Sequence, residues 1–104
     1  MSERRSSKRV ELKLPVAVKA SRNESHSGQT RDLSLSGIFL YTKALISEGN
    51  QLEMVLMLPP ELTNGERRWV CCRASVVRVE DCAEGGFGLA ARIEDIADLP
   101  ELSG

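Results

Sequence analysis

The sequence predicts an all-β fold, a six-stranded antiparallel β-barrel with a flexible N-terminal arm and a short C-terminal helical turn. Three observations carry this expectation. Short alternating or continuous apolar runs recur at near-regular spacing along 104 residues. Turn-forming Gly, Asn, Ser and Pro stand between them, and no stretch keeps a helical period long enough for a stable helix. Consecutive strands without intervening helices favour a barrel or sandwich over a βαβ arrangement.

The elements follow in order. Leu12, Leu14, Val16, Val18 and Ala20 alternate with Lys13, Pro15, Ala17 and Lys19, the period of a half-buried strand. Pro15 cannot donate a ladder hydrogen bond, so the strand is expected to be an edge there. Ser21 to Gly28 is polar and turn-rich and reads as a loop before a short strand near Gln29 to Leu33. Ile38-Phe39-Leu40-Tyr41 reads as a buried strand, and Ser47-Glu48-Gly49-Asn50 as the turn after it. Leu52, Met54, Leu56 and Leu58 mark the next strand, which Pro59-Pro60 ends. After Asn64-Gly65, Arg68 to Val79 is long and β-branched, with a slip in alternation near Ser75 to Val77 that suggests a bulge. Glu84-Gly85-Gly86 turns the chain into Phe87 to Ile93. Ile93, Ile96 and Leu99, three apart before Pro100, predict one helical turn against the sheet. The expected organisation is one domain over residues 1–104, with a basic arm at 1–11, the barrel at 12–93 and a turn or tail at 94–104.

Composition narrows the function classes. The chain is 41% hydrophobic but only 4% aromatic, so aliphatic side chains must fill the core. A net charge of -1 gives no global field for nucleic acid or an anionic membrane. The charge is unevenly spread: Arg4, Arg5, Lys8, Arg9 and Lys13 crowd the first 13 residues, while Glu94, Asp95, Asp98 and Glu101 close the chain with no base among them. An anionic partner near the N-terminus is the expectation. No apolar run is long enough to span a bilayer and none follows the N-terminal charges as a signal peptide would, so the chain reads as cytoplasmic without membrane insertion. Cys71, Cys72 and Cys82 are odd in number, and the adjacent pair would face opposite sides of a strand. They are expected to be reduced residues packed like small apolar side chains. With one His and no CxxC pair, no metal site and no cofactor are expected. No catalytic residues emerge either: Glu80-Asp81 and Glu94-Asp95 are adjacent acids that point apart, and no nucleophile motif or phosphate-cradling loop is present.

Two polar clusters carry the candidate chemistry. Arg4-Arg5-Ser6-Ser7-Lys8-Arg9 offers planar guanidinium forks, which match phosphate oxygens or the N7 and O6 edge of guanine. Arg5 and Arg9 share a face if helical and lie about 13 Å apart if fully extended. Asp32-Leu33-Ser34-Leu35-Ser36-Gly37 is a carboxylate, hydroxyl and glycine turn. Alternation predicts Leu33 and Leu35 directed to the core and Asp32 and Ser34 exposed together. The carboxylate can accept guanine N–H donors or hold an arginine in place, Ser34 can donate or accept, and Gly37 permits close backbone approach. Arg78, late in its strand, reads either as an exposed strand charge or as a stacking cation. Trp69 reads as core or rim, and His26 as solvated.

Arg-x-x-x-Arg at Arg5 and Arg9, followed by a strand, a loop and Asp-x-Ser-x-x-Gly at Asp32, Ser34 and Gly37, resembles the PilZ domain family. Val76-Val77-Arg78-Val79 and Gly86-Phe87-Gly88-Leu89 look like that family's closing strands. The resemblance implies a barrel that binds cyclic di-GMP, with Arg5 and Arg9 on phosphates and guanine edges and Asp32, Ser34 and Gly37 on the barrel surface. It also implies a contact from Arg78. An arginine directly before the first motif arginine, here Arg4, accompanies an intercalated ligand pair in such proteins, which implies two molecules per chain. The output is then expected to pass through an unidentified downstream effector protein, since no effector domain is attached. The rival expectation is a nucleotide-independent interaction domain of motility or envelope machinery. Nucleic-acid binding is disfavoured by an acidic, aromatic-poor surface.

Overall fold

The computed structural model describes residues 10–20, 25–63, 65–82 and 85–99. Among the described residues seven strands run β1 (Val10–Glu11), β2 (Pro15–Lys19), β3 (Ser25–Leu33), β4 (Gly37–Thr42), β5 (Gln51–Leu58), β6 (Arg68–Asp81) and β7 (Phe87–Asp98). They pair antiparallel in the order β1-β3-β2-β5-β6-β7-β4, and a further β3–β4 pairing closes the sheet on itself. The expected six-stranded barrel is therefore present, its first strand divided in two. Val10 and Glu11, assigned to the arm by sequence, pair with Leu33 and Asp32, whereas Pro15 to Lys19 pair with Gln29 to Ser25 farther along the same strand. Between the two pieces the backbone bonds of Leu12 and Leu14 go to Arg31 and Thr30. Pro15 sits before the β2–β5 pairing begins at Ala17, so its missing N–H leaves no ladder gap on that side.

The interior follows the period-2 pattern. Val16 and Val18, Ile38 and Leu40, Leu52 to Leu58, Val70 to Val76, and Leu89 and Ala91 each alternate into one buried cluster. It contains no fully buried aromatic ring, as the composition requires. Ile46, from the connection between β4 and β5, joins it.

Cys71 and Cys72 are free and face opposite sides, Cys71 half-buried and Cys72 in the core. Burial pushes the Cys72 thiol up to about 12, with smaller contributions from Cys71 and Asp95. Its folded pKa lies above the unfolded thiol value. The stability linked to the neutral thiol is thus complete below about pH 8.5, and is lost as pH rises through about 12. In the folded protein, Cys72 is expected to resist thiol-directed reagents at pH 8 and to react only on unfolding, which a labelling time course in increasing urea would read out.

Among the described residues three bulges interrupt the ladders. The register shifts between Thr30 and Asp32 in β3, and between Val76 and Arg78 in β6. It shifts again where Arg73 and Ala74 meet Asp95 and Ile93 in β7. The unpaired extra residues are Arg31, Val77 and Glu94. The second of these coincides with the slip in alternation near Ser75 to Val77. The third corrects the expected C-terminal helical turn: Ile93 and Ile96 both pack on the core because Glu94 is an extra residue in a strand that runs to Asp98. A second correction concerns β3, which begins at Ser25 within the segment read as loop, where His26 and Ser27 pair with Val18 and Ala17.

Candidate functional site

Register brings four side chains into line across the outer wall. Asp32 on β3 lies opposite Phe39 on β4, Phe39 opposite Ala90 on β7, and Ala90 opposite Arg78 on β6. Directly opposed residues share a sheet face, so the row has a carboxylate at one end, a guanidinium at the other, and a ring and a methyl between. The adjoining row runs Gly37, Arg92, Ser75. Small residues on two central strands make a trough between taller walls. The resulting groove has a volume of about 370 Å³ and is lined by Arg31, Asp32, Gly37, Phe39, Arg78 and Arg92, among others. That size is within the range of small-molecule sites. Three guanidinium groups line the groove, each within 4 Å of a carboxylate of Asp32, Glu80 or Glu94, and their planar forks suit a ligand with planar acceptors.

The bulge at Arg31 shapes the near wall. It sends the side chain outward over Phe39, with the guanidinium carbon 3.9 Å from the ring centroid. Arg31 Nε donates to Asp32 Oδ2 at 2.8 Å. This bond is the main cause that raises the Arg31 pKa above its ordinary value, and Tyr41 adds to it. Phe39 is only 3% exposed although it lies outside the interior cluster. Tyr41 packs edge-on against it at 5.5 Å and 73°. Gly88 lies beneath, where a Cβ would come within 2.7 Å of the ring. Glycine there is what lets a large ring lie flat on the outer wall.

Asp32 and Ser34 are buried, at 5% and 1% exposure, while Leu35 is 51% exposed. This reverses the alternation expectation at three positions, while Leu33 lies in the core as expected. Strand β3 ends at Leu33, so the period cannot be carried on to Leu35, and Asp32 is covered by the Arg31 it holds. The Ser34 hydroxyl accepts the Gly37 and Ser36 N–H groups at 3.0 and 3.2 Å and donates to the Gly37 carbonyl at 3.3 Å. Gly37 is itself buried as the first residue of β4. Ser34 and Gly37 therefore build the turn at the groove's end, and Ser34 presents no surface of consequence to a ligand.

On the far wall, Arg78 is 58% exposed in its side chain and pairs with Glu80 at 3.0 Å. Arg92 lies 3.8 Å from Glu94. Val77, the bulged residue beside Arg78, stands 48% exposed at the rim. Trp69 lines a different, more apolar groove with Pro15, His26 and Val55 and does not reach this one. Arg4, Arg5 and Arg9 lie outside the described residues. Sequence reasoning missed Arg31, Phe39, Ala90 and Arg92. The one available signal was the arginine next to the motif carboxylate.

A closed barrel with an arginine-lined groove on its outer wall is a small module whose candidate site lies outside the barrel. The chain belongs to the PilZ domain family, whose model matches residues 3–100. Membership makes it a non-catalytic module. No curated protein matches the chain. Among solved structures it is similar to the Bacillus subtilis inhibitor of motility MotI/DgrA, with a TM-score of 0.72 and 20% identity, over 92% of this chain and 45% of that one. The chain thus spans less than half of that protein's length. It is similar to the PilZ domain of YcgR from Escherichia coli, solved with c-di-GMP, with a TM-score of 0.64 and 14% identity over 89% and 79% of the two chains. It is also similar to the PilZ domain of CeSA from a cellulose-synthesizing bacterium, with a TM-score of 0.54 and 24% identity over 85% and 82%. These likenesses support the barrel fold. Among the described residues no helix is long and apolar enough to cross a membrane.

Proposed function

We propose that the chain is a cytoplasmic cyclic di-GMP sensor and adaptor, binding the ligand in the outer-wall groove and signalling through a partner protein. The observation that carries this reading is the groove itself, which joins the motif residues Asp32 and Gly37 to Arg78 across four strands. Val10 and Glu11 pair with Leu33 and Asp32, so the residue bonded to Arg9 enters the sheet beside the groove's carboxylate. In this reading Arg5 and Arg9 grip phosphates and guanine edges, Arg78 meets a guanine from the far wall, and Arg4 admits a second ligand. The arm orders across the barrel when the ligand binds, and the changed surface is what the partner reads.

Titration calorimetry with cyclic di-GMP tests the reading. The wild type is expected to bind, with two ligands per chain if Arg4 has the role assigned to it. Arg9→Ala is expected to lose about tenfold or more in affinity, the worth of a charge-assisted bond. Absence of heat with the wild type, or an unchanged affinity for Arg9→Ala, would sink it.

A further inference from the structure

We propose that Arg31 is the stacking platform for one guanine of the ligand, with Asp32 as the residue that positions it; the inference rests on the cyclic di-GMP reading above. A stacking platform must be planar, electronically suited to a purine, and fixed before the ligand arrives. Arg31 meets each condition. Its guanidinium is a planar cation, and purines stack on guanidinium planes as they do on aromatic rings. One of its faces is covered by Phe39 at 3.9 Å. Its Nε is tied to Asp32 at 2.8 Å, which fixes the rotation of the plane about the side-chain axis. Half of the side chain remains exposed, and Arg31 lines the groove.

The support continues beneath it. Phe39 is held by the edge of Tyr41, and Gly88 leaves the space the ring occupies. The bulge in β3 adds the residue whose side chain can turn outward at this point without displacing Thr30 or Leu33 from the core. Arg78 and Arg92 differ, since their charges meet Glu80 and Glu94 in exposed pairs and not over a buried ring. Binding would then build a column of ring, cation and purine on the near wall.

The decisive measurement uses the wild type. In ¹⁵N-labelled protein titrated with cyclic di-GMP, the Arg31 Nε–H proton is expected to move upfield, because a purine stacked on the guanidinium places that proton in its shielding cone. Calorimetry on Arg31→Lys, which keeps the charge and loses the plane, is expected to show affinity about tenfold weaker. Thermal unfolding of the same variant shows whether the loss is separate from folding. An Arg31 proton that stays in place when the wild type is saturated, or an Arg31→Lys variant that binds as tightly, overturns the platform while leaving the ligand reading intact. A wild type that gives no heat overturns the ligand reading instead.

Discussion

Leu40→Ala is expected to lower the free energy of unfolding by about 2 to 5 kcal/mol. Leu40 is 0% exposed and sits in the interior cluster. Its strand is hydrogen-bonded on both sides, with Leu40 opposite Thr30 on β3 and Leu89 on β7. A closed wall of this kind cannot draw inward to fill the space left by the lost carbons, so the cavity cost adds to the transfer cost. With a whole-domain stability of about 5 to 15 kcal/mol, this is a substantial share of the total. Urea unfolding should show a lower midpoint at an unchanged slope. A shift worth under about 1 kcal/mol would mean that the barrel relaxes around the site, against the packing described.

The same strand shows what alternation reveals and what it conceals. Leu40 could be assigned to the core from the sequence, since Ile38 and Leu40 fall on one face of a four-residue apolar run. The burial of Phe39 on the opposite face agrees with a continuous apolar run, but what covers it does not show in the run: Tyr41 lies two residues along, while Arg31 and Gly88 come from other strands. Each bulge also leaves a misleading trace. Thr30 and Leu33, Val76 and Val79, and Ile93 and Ile96 are all inward-facing pairs three residues apart, since one extra residue resets a period of two. Spacing of three is also the mark of a helical turn. In β6 the β-branched neighbours Val76, Val77 and Val79 decided for a strand. At the C-terminus the spacing of Ile93, Ile96 and Leu99 before Pro100 favours the helical reading, and the long pairing with β6 that settles it is not a local property of the sequence.

The candidate site was legible as a motif and not as a geometry. Asp32, Ser34 and Gly37 could be named from their spacing, but their division of labour follows from where β3 stops. Ser34 commits its hydroxyl to the turn and Asp32 commits an oxygen to Arg31. One of the two roles open to the carboxylate, holding an arginine, is filled by its bond to Arg31. The far wall was legible only at Arg78, and the trough between the walls needs the register of four strands.

The second large effect is expected at Thr30, whose side chain connects this wall to the N-terminal segment. Thr30 is 0% exposed. Its Oγ1 accepts the Leu14 N–H at 2.9 Å and donates to the Leu12 carbonyl, bridging the gap where β1 and β2 leave the ladder. Thr30→Val keeps the shape and removes both bonds, leaving one donor and one acceptor in a partly buried place without that partner. At about 1 to 3 kcal/mol for each such group, the sum is expected to be about 2 to 6 kcal/mol. Thr30→Ser, which keeps the hydroxyl, should recover most of it. The loss should also be local: residues 12–14 carry the chain from β2 to the strand that adjoins Arg9, so loosening them frees the base of the arm. Hydrogen exchange at the Leu14 amide should therefore accelerate more than at Leu40, and cyclic di-GMP affinity should fall in Thr30→Val and return in Thr30→Ser. Equal acceleration at both amides would show that Thr30 supports the barrel as a whole, with no particular hold on the segment that leads to the arginines.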